Sequence, residues 1–363
     1  MRFPEFTGEW EKCKLSKVCS FFSGGTPPSS NKEYYNGNIP FIRSGELHND
    51  ETELFITKEG LDNSAAKMVE VGDLLLALYG ATSGDIAISK IKGAINQAIL
   101  CIRTKQNKKF VESVWNKHVA RLLQTYLQGG QGNLSADIVK NIPFYFTNIE
   151  EQNKLARFIS LLDQRIAAQN KIIEDLKKLK SAIYQELFSN LQGEEKSLSE
   201  LAEITKGQQV NGNQLSENGK YYVMNGGIMP SGYYDDYNTE AGTISISEGG
   251  NSCGYVQYNK SKFWSGGHCY TLHIKPTARI STLFLFHCLK WKEEDIMALR
   301  IGSGLPNIQK KDLSKVRIIV PTFDKQQQLI ALLSTLQMKI EYEEMYTINL
   351  DKQKLHLPSQ MFI

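Results

Sequence analysis

Residues able to do covalent chemistry are scattered along this 363-residue chain, and none sits at the spacing such chemistry needs. Asn-Ile-Pro-Phe occurs at Asn38–Phe41 and again at Asn141–Phe144. An adenine methyltransferase box needs a second proline and a Gly-rich cofactor loop; neither accompanies these copies, and both read as strand edges. Gly212 to Lys220 is a poor phosphate loop, with six residues between the glycines where four are needed and Tyr221 in place of Ser or Thr. His268, Cys269, His273, His287 and Cys288 do not fall at the spacing of a zinc site. Glu194-Glu195-Lys196 ends like a nuclease motif but lies in a linker after Gly193. No nucleophile, base and orienting group come together, so the chain is expected to catalyse nothing alone.

Binding chemistry is better represented. Tyr79-Gly80-Ala81-Thr82-Ser83-Gly84 and Glu248-Gly249-Gly250-Asn251-Ser252-Cys253-Gly254 both follow apolar runs. Glycine lets a backbone approach a ligand closely, and Tyr79, Thr82, Ser83, Asn251 and Ser252 offer hydrogen bonds to phosphates or bases. A plain tight turn is the competing reading. Arg103, Lys105, Lys108 and Lys109, continuing to Lys117 and Arg121, form the one dense basic run before the first long helix. Such a run tracks phosphates or covers a solvated face. Arg43 ends a strand candidate ahead of Ser44, where it would either read guanine or join a surface salt bridge.

These loops recur because the chain repeats itself. Leu15–Gly24 matches Leu198–Gly207 at an offset of 183, and Gly72–Gly84 matches Gly242–Gly254 at 170. From Gly130 an offset of 174 holds without a gap, through Ile159–Ile166 against Leu333–Ile340, to Phe188 against Phe362. Three matches in one order point to a duplicated module, a globular domain followed by a long helix.

In the first helix Leu155, Ile159, Leu162, Ile166, Ile173, Leu176, Ile183 and Leu187 step by three and four residues, with Gln169 and Lys180 interrupting the seam. Asn148 with Glu151 forms a candidate capping box, and Gly193 a candidate stop. The second helix, starting near Thr322 or Asp324, repeats the seam with Leu329, Leu333, Leu336, Ile340 and Leu350. Glu343, Thr347 and Lys354 fall on its seam, which makes its distal half the weaker. Neither stripe is buried by its own helix, so the two are expected to pack on each other, antiparallel. The alternative is two unrelated helices, each on its own domain.

The expected division is a domain at 1–149, a spacer helix at 150–193, a second domain at 194–320 and a second spacer helix at 321–363. Both domains read as short strands between Gly, Asn and Ser turns, each closed by a helix near Phe110–Leu127 or Thr282–Arg300. The fold class is therefore α+β: two β-rich domains related by an internal pseudo-two-fold repeat and joined by two long antiparallel coiled-coil helices.

Composition narrows the setting. At 41% apolar and 22% charged, the chain reads as ordinary globular material, and neither a spanning apolar run nor a secretory leader is expected. Its six cysteines form no C-x-x-C pair, which suggests reduced thiols and a cytoplasmic address. The net charge of +3 is spread evenly, with 17 basic and 15 acidic residues in 1–149 and 14 and 13 in 194–320. Bulk charge alone would not hold it to nucleic acid; local patches or a partner would have to help.

Together these features resemble the specificity subunits of type I restriction-modification systems. The resemblance covers essentially the whole chain. It is carried by Trp10 to Val18 leading into Gly24–Pro27, by Ile39–Arg43, Gly72–Leu75 and Gly130–Leu134, by Glu150–Gln152 and by Met361–Ile363. The second copy departs from it with Gly207–Val210 in place of Gly-Gly-Thr-Pro. The resemblance implies two target-recognition domains, each reading half of a split, asymmetric sequence in double-stranded DNA, with the helices setting the spacing. It also implies two methyltransferase subunits as partners, which carry the S-adenosylmethionine, and translocase-nuclease subunits in the full complex. No cofactor, metal or membrane is expected on this chain. The candidate DNA-binding set is Thr26, Arg43, Ser44, Tyr79, Thr82, Ser83, Arg103, Lys105, Lys108, Lys109, Gln131, Asn133, Gln208, Asn225, Asn251, Ser252, His268 and Asn307. A protein-interaction scaffold and a stand-alone DNA methyltransferase are the alternatives; sequence-specific DNA protection separates the first, and S-adenosylmethionine binding by the isolated chain the second.

Overall fold

The computed structural model describes residues 2–126, 134–302, 304 and 306–362. Strands and covering helices gather into two compact units, Met1–Asn170 with Tyr346–Ile363, and Lys171–Met345. Each unit thus holds its own sheets and one portion of each long helix, and the units part inside those helices.

In the first unit Leu74–Ala77 is a run with every side chain fully buried, as an interior strand requires. It pairs antiparallel with Ile86–Ile88 on one side and Ile99–Thr104 on the other, and Cys19–Ser23 completes that sheet. A second sheet runs Phe55–Ile56, Tyr35–Ile42, Gly93–Ile95, Lys67–Val69, with its middle pair parallel. Asn38–Phe41 is therefore not at an edge but in an interior strand. Pro40 is tolerated there because the parallel pairing begins only at Phe41, so no ladder bond needs the missing N–H. Glu11–Lys14 and Pro143–Phe146 form a separate two-stranded ribbon.

The second unit repeats the plan. Ala202–Lys206, Cys269–Ile274, Thr243–Ser247 and Val256–Asn259 form the antiparallel sheet. Tyr233–Tyr234, Tyr221–Met224 and Trp264–Ser265 form the smaller one, and Glu194–Ser197 pairs with Arg317–Val320. Lys108–Tyr126 covers the first large sheet as one helix, with Phe110, Val114 and Trp115 buried. The covering helix of the second unit is broken, as Thr282–Trp291 and Glu293–Ala298, instead of running through to Arg300. The Glu293 carboxylate accepts from Val256 N at 2.8 Å and from Lys290 Nζ at 2.6 Å, which anchors the chain at the break.

The long helices span Ile149–Ser189 and Phe323–Met361. Within the first unit they run antiparallel: Asp163 pairs with Lys354 at 2.7 Å, and Arg165 donates to Tyr346. Leu155 and Ile159 share a core there with Met361 and Phe362. Within the second unit Lys177 meets Glu344 and Lys180 meets Gln337, both at 2.6 Å, while Tyr184 and Phe188 share a core with Leu329 and Leu333. Phe188 and Phe362, matched by the repeat, fill equivalent places: Phe188 stacks on Trp291 at 5.6 Å and Phe362 meets Phe110 at 5.4 Å. Of the seam residues, Leu155, Ile159, Ile173, Leu329, Leu333, Ile340 and Leu350 are buried and Leu162, Ile166, Leu176 and Leu336 half-buried. Glu343 and Thr347 are also buried, whereas Lys354 is exposed and reaches its carboxylate from the rim.

Two terminal expectations need correction. Asn148 Oδ1 does cap Glu151 N at 2.9 Å, but the Glu151 carboxylate does not return to Asn148. It accepts instead from Arg2, at 2.7 and 2.6 Å, and from the Thr147 hydroxyl. The first helix also stops at Ser189, short of Gly193, whose place beside Val320 O leaves no room for a Cβ.

One contact joins each covering helix to a long helix in the same way. Gln152 and Gln326 are both fully buried. Gln152 Nε2 donates to Thr147 O at 2.6 Å while its Oε1 accepts from Asn107 N at 3.1 Å. Gln326 Nε2 donates to Pro321 O at 3.1 Å while its Oε1 accepts from Ser281 N at 2.9 Å. Each amide closes groups at the foot of one helix with the head of another, so all its partners are satisfied at once.

Two stability predictions follow from this packing. A Cβ on Gly24 would lie 1.8 Å from Ile95 O, whereas one on Gly45 meets nothing within 4 Å. Gly24→Ala should destabilise the first unit by about 3 kcal/mol and Gly45→Ala by less than about 0.5 kcal/mol, read by thermal unfolding. In the second unit, burial, aided by Lys180, pushes His287 down to about 4, while its Nδ1 bonds the Tyr184 hydroxyl at 2.6 Å. An unfolded histidine takes its proton near 6.5, so the second unit should lose up to about 3 kcal/mol as pH falls from about 6.5 to about 4. His287→Leu should flatten that stretch of the pH–stability profile.

Candidate nucleic-acid interface

Both Gly-rich loops hang on one backbone scaffold. In the first unit Leu78 N donates to Ala98 O at 2.8 Å, Leu134 N to Leu78 O at 2.8 Å, and Gly84 N to Ala77 O at 2.9 Å. In the second, Glu248 N donates to His268 O at 2.9 Å, Ile308 N to Glu248 O at 2.8 Å, and Gly254 N to Ser247 O at 2.9 Å. Gly84 and Gly254 have φ of +87° and +92°, a conformation that a side chain would strain. The covering helix braces each loop: Trp115 Nε1 donates to Gly84 O at 2.8 Å, and Gly254 abuts Met297.

The side chains displayed on this common frame differ. In the first unit the Thr26 hydroxyl donates to Gln97, and half-buried Tyr79 also bonds Gln97. Burial outweighs that bond and pushes the Tyr79 hydroxyl up. Ser83 turns inward, donating to Leu78 O at 3.0 Å, which leaves Thr82 as the half-exposed hydroxyl of the loop. Ser44 opens a short turn, Ser44–Glu46, closed by Arg43 and Glu46. The Arg43 fork is held by Glu46, at 2.6 and 3.2 Å, and touched by Glu53 at 3.4 Å. A base contact through Arg43 Nε and Nη2 would compete with Glu46 for those donors. Gln131 and Asn133 lie outside the described residues.

In the second unit, Asn225 Oδ1 accepts from His268 N at 3.1 Å, and Asn307 lies beside Gly249 through a backbone bridge. His268, Asn307 and Asn251 are exposed, and Ser252 is half-exposed. Gln208 is exposed as well; its N donates to Ser265 O and its O accepts from Trp264 Nε1, both at 2.8 Å. The Glu248 carboxylate, 12% exposed, lies behind His268 at 3.5 Å.

The basic run does not act as one patch. Arg103 grips Asp73 at 2.8 to 3.3 Å and lies over the Phe22 ring, and Lys108 comes within 3.6 Å of Asp73. Burial alone would raise the Asp73 carboxyl, but Arg103, the Glu70 N–H and Lys108 hold it below its usual range. Lys109 is paired with Glu112 at 2.6 Å and Asp163 at 2.9 Å. Lys105 alone of the four remains exposed without an ionic partner among the described residues. A different basic cluster forms around a cavity of about 640 Å³ lined by Lys12, Lys117, His118, Arg121 and the 142–145 segment. Burial and the cations Lys117 and Arg121 push His118 down.

Sequence reasoning did not place Gln97 in the site, and it put Glu248 at the head of the second Gly-rich loop without giving it a role. Gln97 is a single polar residue between Asn96 and Ala98 with no local pattern. Glu248 did carry a signal: the 170-residue offset sets this charged residue against apolar Leu78. Among the described residues no group of three or more His, Cys, Asp and Glu is placed to hold a metal ion, and no helix is long and apolar enough to cross a membrane.

The model of the type I restriction modification DNA specificity domain matches residues 7–178 and again 191–352. A putative type I specificity subunit of Mycoplasma pneumoniae is 34% identical over 165 residues, 45% of this chain and 44% of that protein. One from Mycoplasma genitalium is 32% identical over 145 residues, 40% and 38% of the two chains. The chain thus spans less than half the length of these two relatives. The MjaVIII specificity subunit of Methanocaldococcus jannaschii is 21% identical across 98% of this chain and 91% of its own. The crystal structure of a type I S subunit from M. genitalium shares the fold with a TM-score of 0.67 and 19% identity, over 98% of this chain and 96% of that one. A chain from a structural study of type I complex assembly and conformational transition gives 0.65 and 15%, over 97% of each. With two specificity domains in tandem, each ending in a long helix, this chain belongs to the type I restriction-modification specificity subunits.

Proposed function

We propose that this chain directs a type I complex to DNA by reading the two halves of a bipartite, asymmetric target, one with each domain. One observation carries the reading: a hydrogen-bond frame shared by both units displays different side chains in each. Thr26, Tyr79, Thr82 and Gln97 face a ligand in the first, and Asn225, Asn251, His268 and Asn307 in the second. A common frame with divergent tips suits two related readers of unlike half-sites, because base edges are told apart by the donors and acceptors offered to them. Phosphate contacts by Lys105 and by the Lys12, Lys117 and Arg121 cluster hold the register, while Arg103, Lys108 and Lys109 brace the domain.

The long helices act as the spacer between half-sites and as the seat of two methyltransferase subunits. In the second unit Leu332, Met338, Tyr342 and Met345 stay exposed on the second helix, and apolar exposure of that kind supports docking. Chemistry resides in the partners: methyltransferase subunits bind S-adenosylmethionine, translocase-nuclease subunits cut, and this chain supplies address without catalysis. The complex works in the cytoplasm on double-stranded DNA.

Base-modification sequencing of genomic DNA with and without the gene tests the reading directly. Loss of adenine methylation at one split, asymmetric motif is the expected result; an unchanged pattern in cells expressing the protein overturns it. The spacer role predicts that removing four residues around Gln169 shortens the helix by about 6 Å and narrows the gap in the motif by about two base pairs. Both half-sites should be kept, and an unaltered gap in an active variant refutes the spacer.

A further inference from the structure

The equivalence of the two units isolates one place where they differ in kind. The frame bond from Leu78 N to Ala98 O becomes, in the second unit, the bond from Glu248 N to His268 O. Leu78 and Ala98 are both 5% exposed, so this arrangement is complete with an apolar pair. A carboxylate and an imidazole are not needed to build it.

The carboxylate is also incompletely served. Its Oε1 accepts from Lys206 Nζ at 2.6 Å and from the Tyr270 hydroxyl at 3.1 Å. Its Oε2 is buried with no hydrogen-bond partner among the described residues and lies 3.5 Å from His268 Nδ1. Burying an unmet carboxylate oxygen is unfavourable, and a leucine there would avoid it. A small rotation of the His268 ring, whose side chain is 63% exposed, would bring Nδ1 within hydrogen-bond reach of that oxygen. The His268 N–H is held by Asn225 Oδ1 at 3.1 Å, and only a glycine at 226 leaves its Cβ room, since a side chain there would press on it at 3.1 Å.

In the neutral ring, with Nδ1–H turned back onto Glu248, the outward Nε2 carries a lone pair, because the bond made by one ring nitrogen sets the tautomer of the other. An outward acceptor suits a donor on a base edge, and in the major groove the donors are the exocyclic amino groups of adenine and cytosine. We infer that Glu248 is a positioning residue for His268, and that the pair reads one exocyclic amino group in the half-site of the second domain. This rests on the DNA-reading proposal above.

The test uses the full chain assembled with its methyltransferase subunits. Binding is measured on duplexes carrying every single base-pair substitution across the motif, for wild type, His268→Ala, Glu248→Leu, Glu248→Gln and the double variant Glu248→Leu with His268→Ala. The double variant installs the pair that the first unit already uses, so it is expected to fold. At one position of one half-site, wild type should reject an amino-to-keto exchange (A to G or C to T) about tenfold, and His268→Ala should accept it. Glu248→Leu should lose discrimination at that same position, the double variant should add no further loss, and Glu248→Gln, which keeps an acceptor oxygen, should retain part of it. A split motif whose every position keeps its discrimination in His268→Ala overturns the pair alone. Uniform weakening on all sequences by Glu248→Leu does so too. A wild-type complex with no sequence preference overturns the DNA-reading proposal and this inference with it.

Discussion

A pair of buried glutamines sets the geometry on which both units depend. Gln152 and Gln326 each stand in the first turn of a long helix and close backbone groups at the head of the covering helix or of the segment leading into it. An amide has donors and an acceptor at fixed angles, so satisfying both ends in a buried place leaves little freedom in how the two helices meet. The aromatic anchors act at the opposite ends: Phe188 and Phe362 bring the helix termini into the cores that Leu329 and Leu155 enter from the other direction. Each domain is thereby clasped by the beginning of one long helix and the end of the other.

Scaffold and display are kept separate on this foundation. The sheets, the braced loops and the positive-φ glycines repeat, with bond lengths that agree between units. Side chains at the loop tips carry no such constraint, since exposed positions contribute little to stability and are open to change. A fold of this kind can alter what it recognises without altering how it holds together. The Leu78/Ala98 and Glu248/His268 positions show the separation most sharply, with the same backbone bond beneath an apolar pair and a charged one.

Electrostatics follows the same division. Arg103, Lys108 and Lys109 lie within seven residues of one another in sequence, yet the fold directs two of them to Asp73 and the third to Glu112 and Asp163. Lys12 and Arg121, distant in sequence, meet around one cavity. Charge that is partnered inside the domain steadies it and does little for a phosphate; charge without an acidic neighbour is what a polyanion meets first.

The amino-acid sequence alone determined the duplication, the α+β class and the two long helices. Those properties rest on periodicity and self-similarity, which survive in one dimension: Leu155 to Leu176 and Leu329 to Leu350 mark their seams by spacing alone. Short strands such as Phe55–Ile56 and Lys67–Val69 left no trace, because two or three residues cannot establish a period. The break at Lys292 was equally silent, since it depends on Glu293 reaching Val256, a neighbour only in space. Only the tertiary structure decided which cations are free, that Arg43 is held by Glu46, and that an unmet oxygen of Glu248 faces His268. Partnership in hydrogen bonds and ion pairs is set by distances of a few ångströms between residues far apart in the chain, and no local pattern encodes it.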